Sequence, residues 1–259
     1  MYDFDVFYQK YANFATMLIK TVAIVLHSFK YNDNKIIIDL FTCSNGRMSV
    51  VAPLSNSPKA KIKKQLFQPL TIIETSIDVR HNASLHKITD ARIAQPFTSI
   101  PFNPYKLSIS IFIADFLNQA LMREQADKPL FAYIQNSIEW LDNCDEGFAN
   151  FHLVFMMRLS MFLGFYPNTD NYHAGSCFDL RSACFSGVVP MHNDYLKPAE
   201  ASIVSLILRM SFANMHLFRL SRTERNRLID IILHYYRLHL PSFGEMKSLE
   251  ILRELFWLI

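Results

Sequence analysis

The spacing of apolar residues along the chain changes near residue 100. Before that point, short apolar runs alternate with polar residues in steps of two, which is typical of β-strands. After it, apolar residues recur every three to four positions, which is typical of helices that bury one face. Pro96, Pro101 and Pro104 lie between the two patterns and favour extended backbone. The pattern therefore predicts a β domain over 17–97 and a helical domain over 98–259.

The first domain is predicted to contain five strands, at about 22–27, 35–41, 47–51, 68–77 and 85–93. Asn45-Gly46 supplies the positive φ that a tight hairpin turn between the second and third strands requires. The lysine-rich stretch 55–65 is predicted to be a long loop. Five short strands joined by turns within about 80 residues are typical of a small barrel such as the OB-fold.

The second domain is predicted to contain helices at about 104–124, 129–143, 149–165 and 198–217, followed by two more. Ser221-x-x-Glu224 is a capping-box signature that marks the start of the fifth helix. Residues 166–197 are predicted to be an irregular insertion, with a short strand pair near 184–189 as one alternative. The expected fold class is α+β in two domains: a β-barrel of the OB type, followed by an all-α helical domain with an irregular insertion.

Residues 1–16 fit neither pattern, and two interpretations stay open. Met17 opens the first strand-like run, so residues 1–16 are interpreted as an extension from an upstream start. The alternative is an ordered N-terminal arm that packs through Phe4, Phe7 and Tyr8.

The composition narrows the class of protein. Of the 259 residues, 51% are apolar, which is too many for a disordered chain. The six glycines are too far apart for G-x-G-x-x-G or a P-loop, and the motifs H-E-x-x-H and G-x-S-x-G do not occur. The usual enzyme signatures are therefore absent, and composition alone does not indicate what the protein does.

The cysteines and the apolar runs bear on the compartment. Four scattered cysteines are too few for a disulfide framework. No signal-peptide pattern occurs at the start, and no uncharged apolar stretch reaches the length of about 18 residues that a membrane span needs. These features favour a soluble protein of the cytoplasm.

The charge is distributed unevenly, and this suggests a polyanionic partner. Residues 17–97 hold 11 Lys and Arg against 5 Asp and Glu, whereas 98–259 hold 14 against 16. Cations interleaved with aromatic residues such as Phe29, Tyr31 and Phe67 suit a groove that follows a phosphate backbone and stacks bases. A solvated charged loop is the alternative that these residues leave open. The candidate nucleic-acid-binding residues are Lys30, Lys35, Arg47, Lys59, Lys61, Lys63, Lys64, Arg80 and Arg92.

Three groups in the second domain are ambiguous. His173, Cys177, Cys184 and His192 lack the C-x2-C spacing of a zinc knuckle, so no metal is predicted there, although a zinc-dependent nucleic-acid enzyme would use such a cluster. Arg158, in the apolar third helix, is either paired internally or exposed beside apolar residues. A cluster at the start of the fifth helix is either a dock for an acidic peptide or phosphate, or a solvated helix face. It comprises Arg219, Arg222, Arg225 and Arg227.

Four stretches, taken in order, resemble the RecO family of bacterial DNA-repair and recombination mediators. The first is AIVLHSFKYNDNKIIIDLFTCSNGR over 23–47, and the second is the basic loop that leads into LFQPL over 66–70. The third is FMMRLSMFLGF over 155–165, and the fourth is His239-Leu240 followed by Lys247-Ser248-Leu249. The resemblance covers roughly 18–256.

The resemblance implies an OB-fold followed by a helical domain, with no catalysis. It implies binding of single- and double-stranded DNA, annealing of complementary strands, docking of the acidic tail of single-stranded-DNA-binding protein, and loading of RecA together with RecR. It also implies a cytoplasmic, nucleoid-associated location. Some members carry a four-cysteine zinc knuckle in the insertion, but Cys177 and Cys184 alone remain here, so we expect neither metal nor cofactor.

The site residues follow from combining the resemblance with the charge pattern. The basic residues above would contact DNA. An apolar pocket rimmed by cations would take the acidic tail, with Phe155 and Arg158 as first candidates and Arg219, Arg222 and Arg225 as second. An OB-fold protein that binds RNA is the alternative function.

Overall fold

The computed structural model describes residues 16–54, 62–80 and 83–255, and divides the chain into two compact units. Unit 1 comprises the chain up to Phe97 together with Ile113–Gln135. Unit 2 comprises Thr98–Phe112 and the chain from Asn136 onward. Unit 1 therefore extends beyond the range 17–97 expected for the β domain, because residues 113–135 pack with it.

Unit 1 contains the five strands that the alternating pattern predicts. Their bounds are β1 Thr16–Asn32, β2 Lys35–Thr42, β3 Gly46–Pro53, β4 Ile72–Arg80 and β5 His86–Gln95. β1 is much longer than expected because it has two partners in succession. It pairs with β4 from Thr16 to Ile24 and with β2 from Ala23 to Asn32.

The five strands close into a barrel in the order β1-β2-β3-β5-β4. Four of the five pairings are antiparallel, and the closing contact between β3 and β5 is parallel and short, joining Val50 to His86 and Val51 to Lys87. Alternate residues point inward and form a buried core that includes Val25, Ile38 and Ile73. The OB-type barrel and the helical part that follows it are thus confirmed.

The start of α2 and the turn that precedes it cover one part of the barrel's outer surface. α1 spans Pro104–Ala120 and α2 spans Lys128–Asn143. Phe41, at an outward position of β2, is fully buried and stacks on Phe131, with 6.1 Å between ring centroids. Beside it, the backbone N–H of Arg47 donates to the carbonyl of Glu124 at 3.0 Å. These contacts make residues 113–135 part of the barrel's packing.

The remaining helices are α3 Phe151–Phe162, α4 Pro198–Leu208, α5 Arg222–His239 and α6 Leu249–Leu255. α3 packs against α4 and α5, as its apolar composition predicts. The capping box at the start of α5 is confirmed by reciprocal hydrogen bonds between Ser221 and Glu224. The helix expected over 198–217 ends early. Asn214 accepts from the backbone N–H of Ser211 and donates to the carbonyl of Arg209, which stabilises a turn there.

The insertion is more regular than expected, which corrects the prediction of an all-α domain. β6 Cys177–Asp179, β7 Cys184–Ser186 and β8 Tyr195–Leu196 form a small antiparallel sheet in the order β7-β6-β8. Two side chains of α5 contact this region: His234 lies 3.0 Å from Asp194, and His239 lies 2.9 Å from the carbonyl of Leu180. Strands of two or three residues are too short to leave a clear alternating pattern.

Asp142 organises the segment that begins unit 2. Its carboxylate accepts from the backbone N–H groups of Thr98, Ser99 and Ile100 at 2.8 to 2.9 Å. The buried Lys106 donates to the carbonyl of Asp142 at 3.0 Å. Burial alone would raise the pKa of Asp142, but the backbone donors lower it below its usual value. This carboxylate therefore fixes a bend at Thr98 and Ser99 that leads into a turn, in which the carbonyl of Ser99 accepts from Phe102, so the extended backbone that the proline spacing predicts is not kept here.

Replacing Gly46 by alanine should destabilise the protein more than replacing Gly164. Both glycines have a positive φ, +69° and +82°, which costs an L-residue about 1 kcal/mol. A Cβ at Gly46 would also lie closer than 3.0 Å to backbone atoms of Glu124, Gln125 and Ala126, whereas a Cβ at Gly164 meets no atom within 4 Å. We expect Gly164→Ala to lower the unfolding free energy by about 1 kcal/mol and Gly46→Ala by a further 1–3 kcal/mol or so, measured by chemical denaturation. Equal losses of unfolding free energy in the two variants would show that residues 124–126 do not pack tightly against Gly46.

Candidate nucleic-acid interface

Three ring-bearing side chains follow one another along the second half of β1. His27, Phe29 and Tyr31 are every second residue of the sequence, and Phe29 and Tyr31 are 44% and 61% exposed, although the pairing with β2 shifts register between Lys30 and Asn32, so Tyr31 lies at a bulge. The rings of His27 and Phe29 lie 5.6 Å apart between centroids. We call these three residues the aromatic strip.

The aromatic strip borders a row of outward residues that crosses four strands. Phe29 pairs with Ile37 of β2, Ile37 pairs with Val51 of β3, and Val51 pairs with Lys87 of β5. Ile37 and Val51 are partly exposed and Lys87 is exposed. The outer face of β1, β2 and β3 therefore presents apolar side chains with a cation at the far end. In OB-folds, the face of the second and third strands and the loop between the first and second strands take part in binding oligonucleotides and oligosaccharides.

Four of the predicted lysines lie close to the strip in the fold. Lys30 and Lys35 flank the turn between β1 and β2. Lys63 and Lys64 begin a short 3-10 turn, Lys64–Phe67, that lies beside β1 because Ser28 Oγ donates to the carbonyl of Phe67 at 2.9 Å. All four lysines are exposed. Lys30 pairs with the exposed Asp33 at 2.7 Å, and such a surface pair is weak enough to exchange for a phosphate.

Phe67 is one correction to the expected interface. Its side chain is buried in the barrel core with Ile62, so it does not offer a face to a base. Instead, it anchors the 3-10 turn and thereby places Lys63 and Lys64. Lys59 and Lys61 lie outside the described residues.

Arg47 is a second correction. Its side chain is only 14% exposed and its Nη2 lies 3.3 Å from Oδ2 of Asp39, whereas Oδ1 of the same carboxylate accepts from Ser49 Oγ at 2.5 Å. Burial would raise the pKa of Asp39, but His27, Ser49 and the charge of Arg47 lower it below its usual value. Burial lowers the pKa of Arg47, and Asp39 opposes that effect. Arg47 is thus occupied by a protein carboxylate, not free for a phosphate.

The remaining two predicted residues lie elsewhere on the barrel. Arg80 pairs with Thr16, at the opposite end of β1 from the aromatic strip. Arg92 forms an exposed ion pair with Glu74, which raises its pKa. It lines a separate groove of about 620 Å³ that also contains Lys20 and Asp90. The predicted basic set therefore does not form one continuous patch.

Sequence reasoning missed three cationic or ring-bearing residues on this barrel. Lys87 joins the outer face only through the short β3–β5 closure, which no local pattern reveals. Lys20 lines the separate groove. His27 carries a signal that could have been used, since it alternates with Phe29 and Tyr31 along one predicted strand.

The expected tail-docking residues of unit 2 are arranged differently from the prediction. Phe155 is fully buried and cannot meet a partner directly. It is the inner end of a stack in which Phe155, Phe151, Phe212 and Trp140 follow at centroid distances of 5.9, 5.0 and 5.2 Å. Trp140 and Phe212, at the outer end, are partly exposed. Arg158 donates to the carbonyl of Met210 at 3.2 Å, two residues before Phe212.

The arginine cluster of α5 does not form a uniform cationic face. Arg219 is exposed, but Arg225 is buried and donates to the carbonyl of Leu220 at 2.7 Å. Arg222 donates to the carbonyl of Arg253 at 3.1 Å, and Arg227 pairs with Glu200. Arg225 is therefore a helix-anchoring residue, which corrects its assignment as a docking candidate.

Comparison with known proteins assigns both parts of the chain to one family. Residues 17–97 match the family model Recombination protein O N terminal, and residues 101–250 match Recombination protein O C terminal. The chain belongs to the RecO family. It is 51% identical over 240 residues to the DNA repair protein RecO of Phocaeicola vulgatus, and 52% identical over 241 residues to that of Bacteroides fragilis. It is 35% identical over 242 residues to that of Flavobacterium psychrophilum. Each alignment covers 93% of this chain and 100% of the relative.

The insertion contains the His and Cys residues whose spacing predicts no zinc knuckle. Cys177 is buried in β6, and Cys184 in β7 contacts Ser182 Oγ at 3.0 Å. His192 lies 3.4 Å from Asp179. Among residues 16–54, 62–80 and 83–255, no group of three His, Cys, Asp or Glu side chains is placed to hold a metal ion. In the same ranges, no helix has the length and apolar character of a membrane span.

Within this RecO family barrel, Arg47→Gln should destabilise the protein and Lys35→Gln should not. Removing the guanidinium leaves the carboxylate of Asp39 partly buried without its opposite charge, which costs about 1–3 kcal/mol. Lys35 is exposed, and its replacement should change the unfolding free energy by less than about 0.5 kcal/mol. Urea denaturation of the two variants compares these values. If Lys35→Gln were destabilised and Arg47→Gln were not, the assignment of Arg47 as the structural partner of Asp39 and of Lys35 as a freely exposed cation would be wrong.

Proposed function

We propose that this protein acts in DNA repair and recombination as a non-enzymatic mediator that binds single- and double-stranded DNA. One observation carries the proposal: exposed lysines from the β1–β2 turn and from the Lys64–Phe67 turn flank exposed aromatic rings on the outer face of an OB-type barrel. The relatives from Phocaeicola vulgatus and Bacteroides fragilis are named DNA repair protein RecO, which supports the same role.

The lysines supply electrostatic attraction to the phosphates. If four to six phosphates are neutralised, the logarithm of the binding constant should fall with the logarithm of salt concentration, by about 0.7 per phosphate for single strands. Arg47 and Arg92 contribute less, because each already has a carboxylate partner.

Strand annealing is the activity that we propose to follow from this attraction. Two complementary strands repel each other through their phosphates, and cations that screen both strands lower this repulsion. Bases can then pair without any covalent step, so the proposed activity requires no catalytic residue or cofactor.

We further propose that unit 2 docks the acidic tail of single-stranded-DNA-binding protein at Trp140 and Phe212. These rings form the accessible end of the aromatic stack, and Arg158 reaches the same segment through Met210. A guanidinium has five N–H donors, so one bond to a carbonyl leaves capacity for a carboxylate. Apolar anchors beside a cation suit an acidic tail that ends in apolar residues. Finally, we propose that the protein helps to load RecA together with RecR, and that it does so at the nucleoid in the cytoplasm.

Binding of RNA is the second candidate function, because the same face suits any single-stranded nucleic acid. Tighter binding to RNA than to DNA of the same sequence would favour this alternative, since only RNA offers 2′-hydroxyl groups.

Changing Lys59, Lys61, Lys63 and Lys64 together to Glu should weaken single-stranded DNA binding by more than about tenfold at low salt and reduce the salt slope by about 3. Fluorescence anisotropy with a labelled oligonucleotide, repeated over a salt series, gives both values.

The matched control for that variant changes four exposed cations of unit 2, Lys197, Arg219, Arg237 and Lys247, to Glu. It alters the net charge by the same amount and should leave the salt slope nearly unchanged. If the control weakens binding as much as the barrel variant does, the effect belongs to net charge, and the assigned face is wrong.

Phe212→Ala and Arg158→Ala should each weaken binding of a peptide with the acidic, apolar-ended tail by about tenfold, and Arg219→Ala should not. Isothermal titration calorimetry with the peptide measures the three affinities. The opposite result, with Arg219→Ala alone weakening the complex, would move the dock to the start of α5.

A further inference from the structure

The aromatic strip combines exposure with a spacing that matters for what it can bind. Phe29 and Tyr31 expose large apolar surfaces, whereas Phe41 and Phe67 of the same barrel are buried. Such clustered exposure on a soluble domain is typical of an interaction surface. The centroids of His27 and Phe29 are 5.6 Å apart, as the two-residue repeat of a strand dictates.

This spacing does not suit the bases of a duplex. In B-DNA, successive bases lie about 3.4 Å apart and each face is covered by the next base pair. Rings at 5.6 Å can stack only on bases that are separated from one another, and such bases occur in an extended single strand.

The charges around the strip favour a nucleic acid as its occupant. Lys30 and Lys35 flank the turn at its end, and Lys63 and Lys64 begin the turn whose Phe67 carbonyl accepts from Ser28 Oγ, on the residue between His27 and Phe29. On the other side, the partly exposed Ile37 and Val51 extend the apolar floor. Rings with cations on their borders match the bases and phosphates of one strand.

We propose that the aromatic strip, His27, Phe29 and Tyr31, stacks unpaired bases and thereby makes this face selective for single strands over duplex. This inference rests on the proposed function, since it assigns a substrate form to the same face. It adds a consequence for annealing: when bases pair, they stack on each other, so the strip loses its ligand while the lysines keep theirs. The duplex product is then held more weakly than the single-stranded substrate.

The test removes either the rings or the bases and asks whether the two losses are coupled. We would compare the full-length protein with Phe29→Ala/Tyr31→Ala, using a thymidine oligonucleotide of about 12 nucleotides, a strand of abasic sites of equal length, and a duplex of equal length. The abasic strand keeps every phosphate and lacks every base. Phe102→Ala, which removes an 81% exposed ring of unit 2, is the matched control, and Phe29→Tyr/Tyr31→Phe is the conservative rescue.

We expect the alanine variant to bind the thymidine strand about tenfold or more weakly, and to bind the abasic strand and the duplex within about twofold of the unmodified protein. Phe102→Ala and the rescue variant should match the unmodified protein on all three. Equal losses on the thymidine and abasic strands, or no loss on either, would overturn the inference. If the unmodified protein binds no strand at all, the proposed function itself has failed, whereas salt-sensitive binding unaffected by the alanine changes refutes only the stacking assignment.

Discussion

The double pairing of β1 is the constraint on which the barrel and its candidate site depend. The first half of β1 pairs with β4 and the second half pairs with β2, with the change at Ala23 and Ile24. Beyond Ile24, β4 no longer pairs with β1, and the residues just before β4 take its place. The backbone N–H of Leu70 donates to the carbonyl of Val25 there at 2.8 Å. At the same edge, Ser28 Oγ donates to the carbonyl of Phe67. This hydrogen bond holds the turn that Lys63 and Lys64 begin against the strand that carries the aromatic strip. One strand therefore fixes both the closure of the barrel and the meeting of rings with cations.

The two types of cation on this barrel have different roles. Arg47 and Arg92 pair with carboxylates that face them across neighbouring strands, whereas Lys35, Lys63, Lys64 and Lys87 are exposed. A planar guanidinium matches a carboxylate, and the flexible lysine stem keeps its charge in water, where a mobile phosphate can reach it. Counting basic residues from the sequence treats both types alike, so the predicted set was larger than the set that the fold leaves available.

Local patterns predicted the elements well, and long-range contacts account for what they missed. Alternation gave the five strands, and Ser221 with Glu224 marked the start of α5, because both signals lie within a few residues. Phe155 was misassigned because a helix that is apolar all round does not indicate which side faces a partner. Arg47 was misassigned because its partner, Asp39, becomes visible only once β2 and β3 are aligned. The positions of Lys87 and Phe67 likewise depend on contacts between residues far apart in sequence.

The division into units does not coincide with a point at which the chain could be cut. α1 begins in unit 2 and ends in unit 1, and the residues that follow it bury Phe41 and bond to Arg47. A barrel truncated at residue 97 would lose Phe131 from its surface and the backbone that meets Gly46. If such a fragment lost DNA binding, the result would not distinguish the effect of newly exposed core residues from that of a missing interface. The contributions of the barrel face and of the Trp140–Phe212 stack are separable only by substitutions at exposed residues within the intact chain.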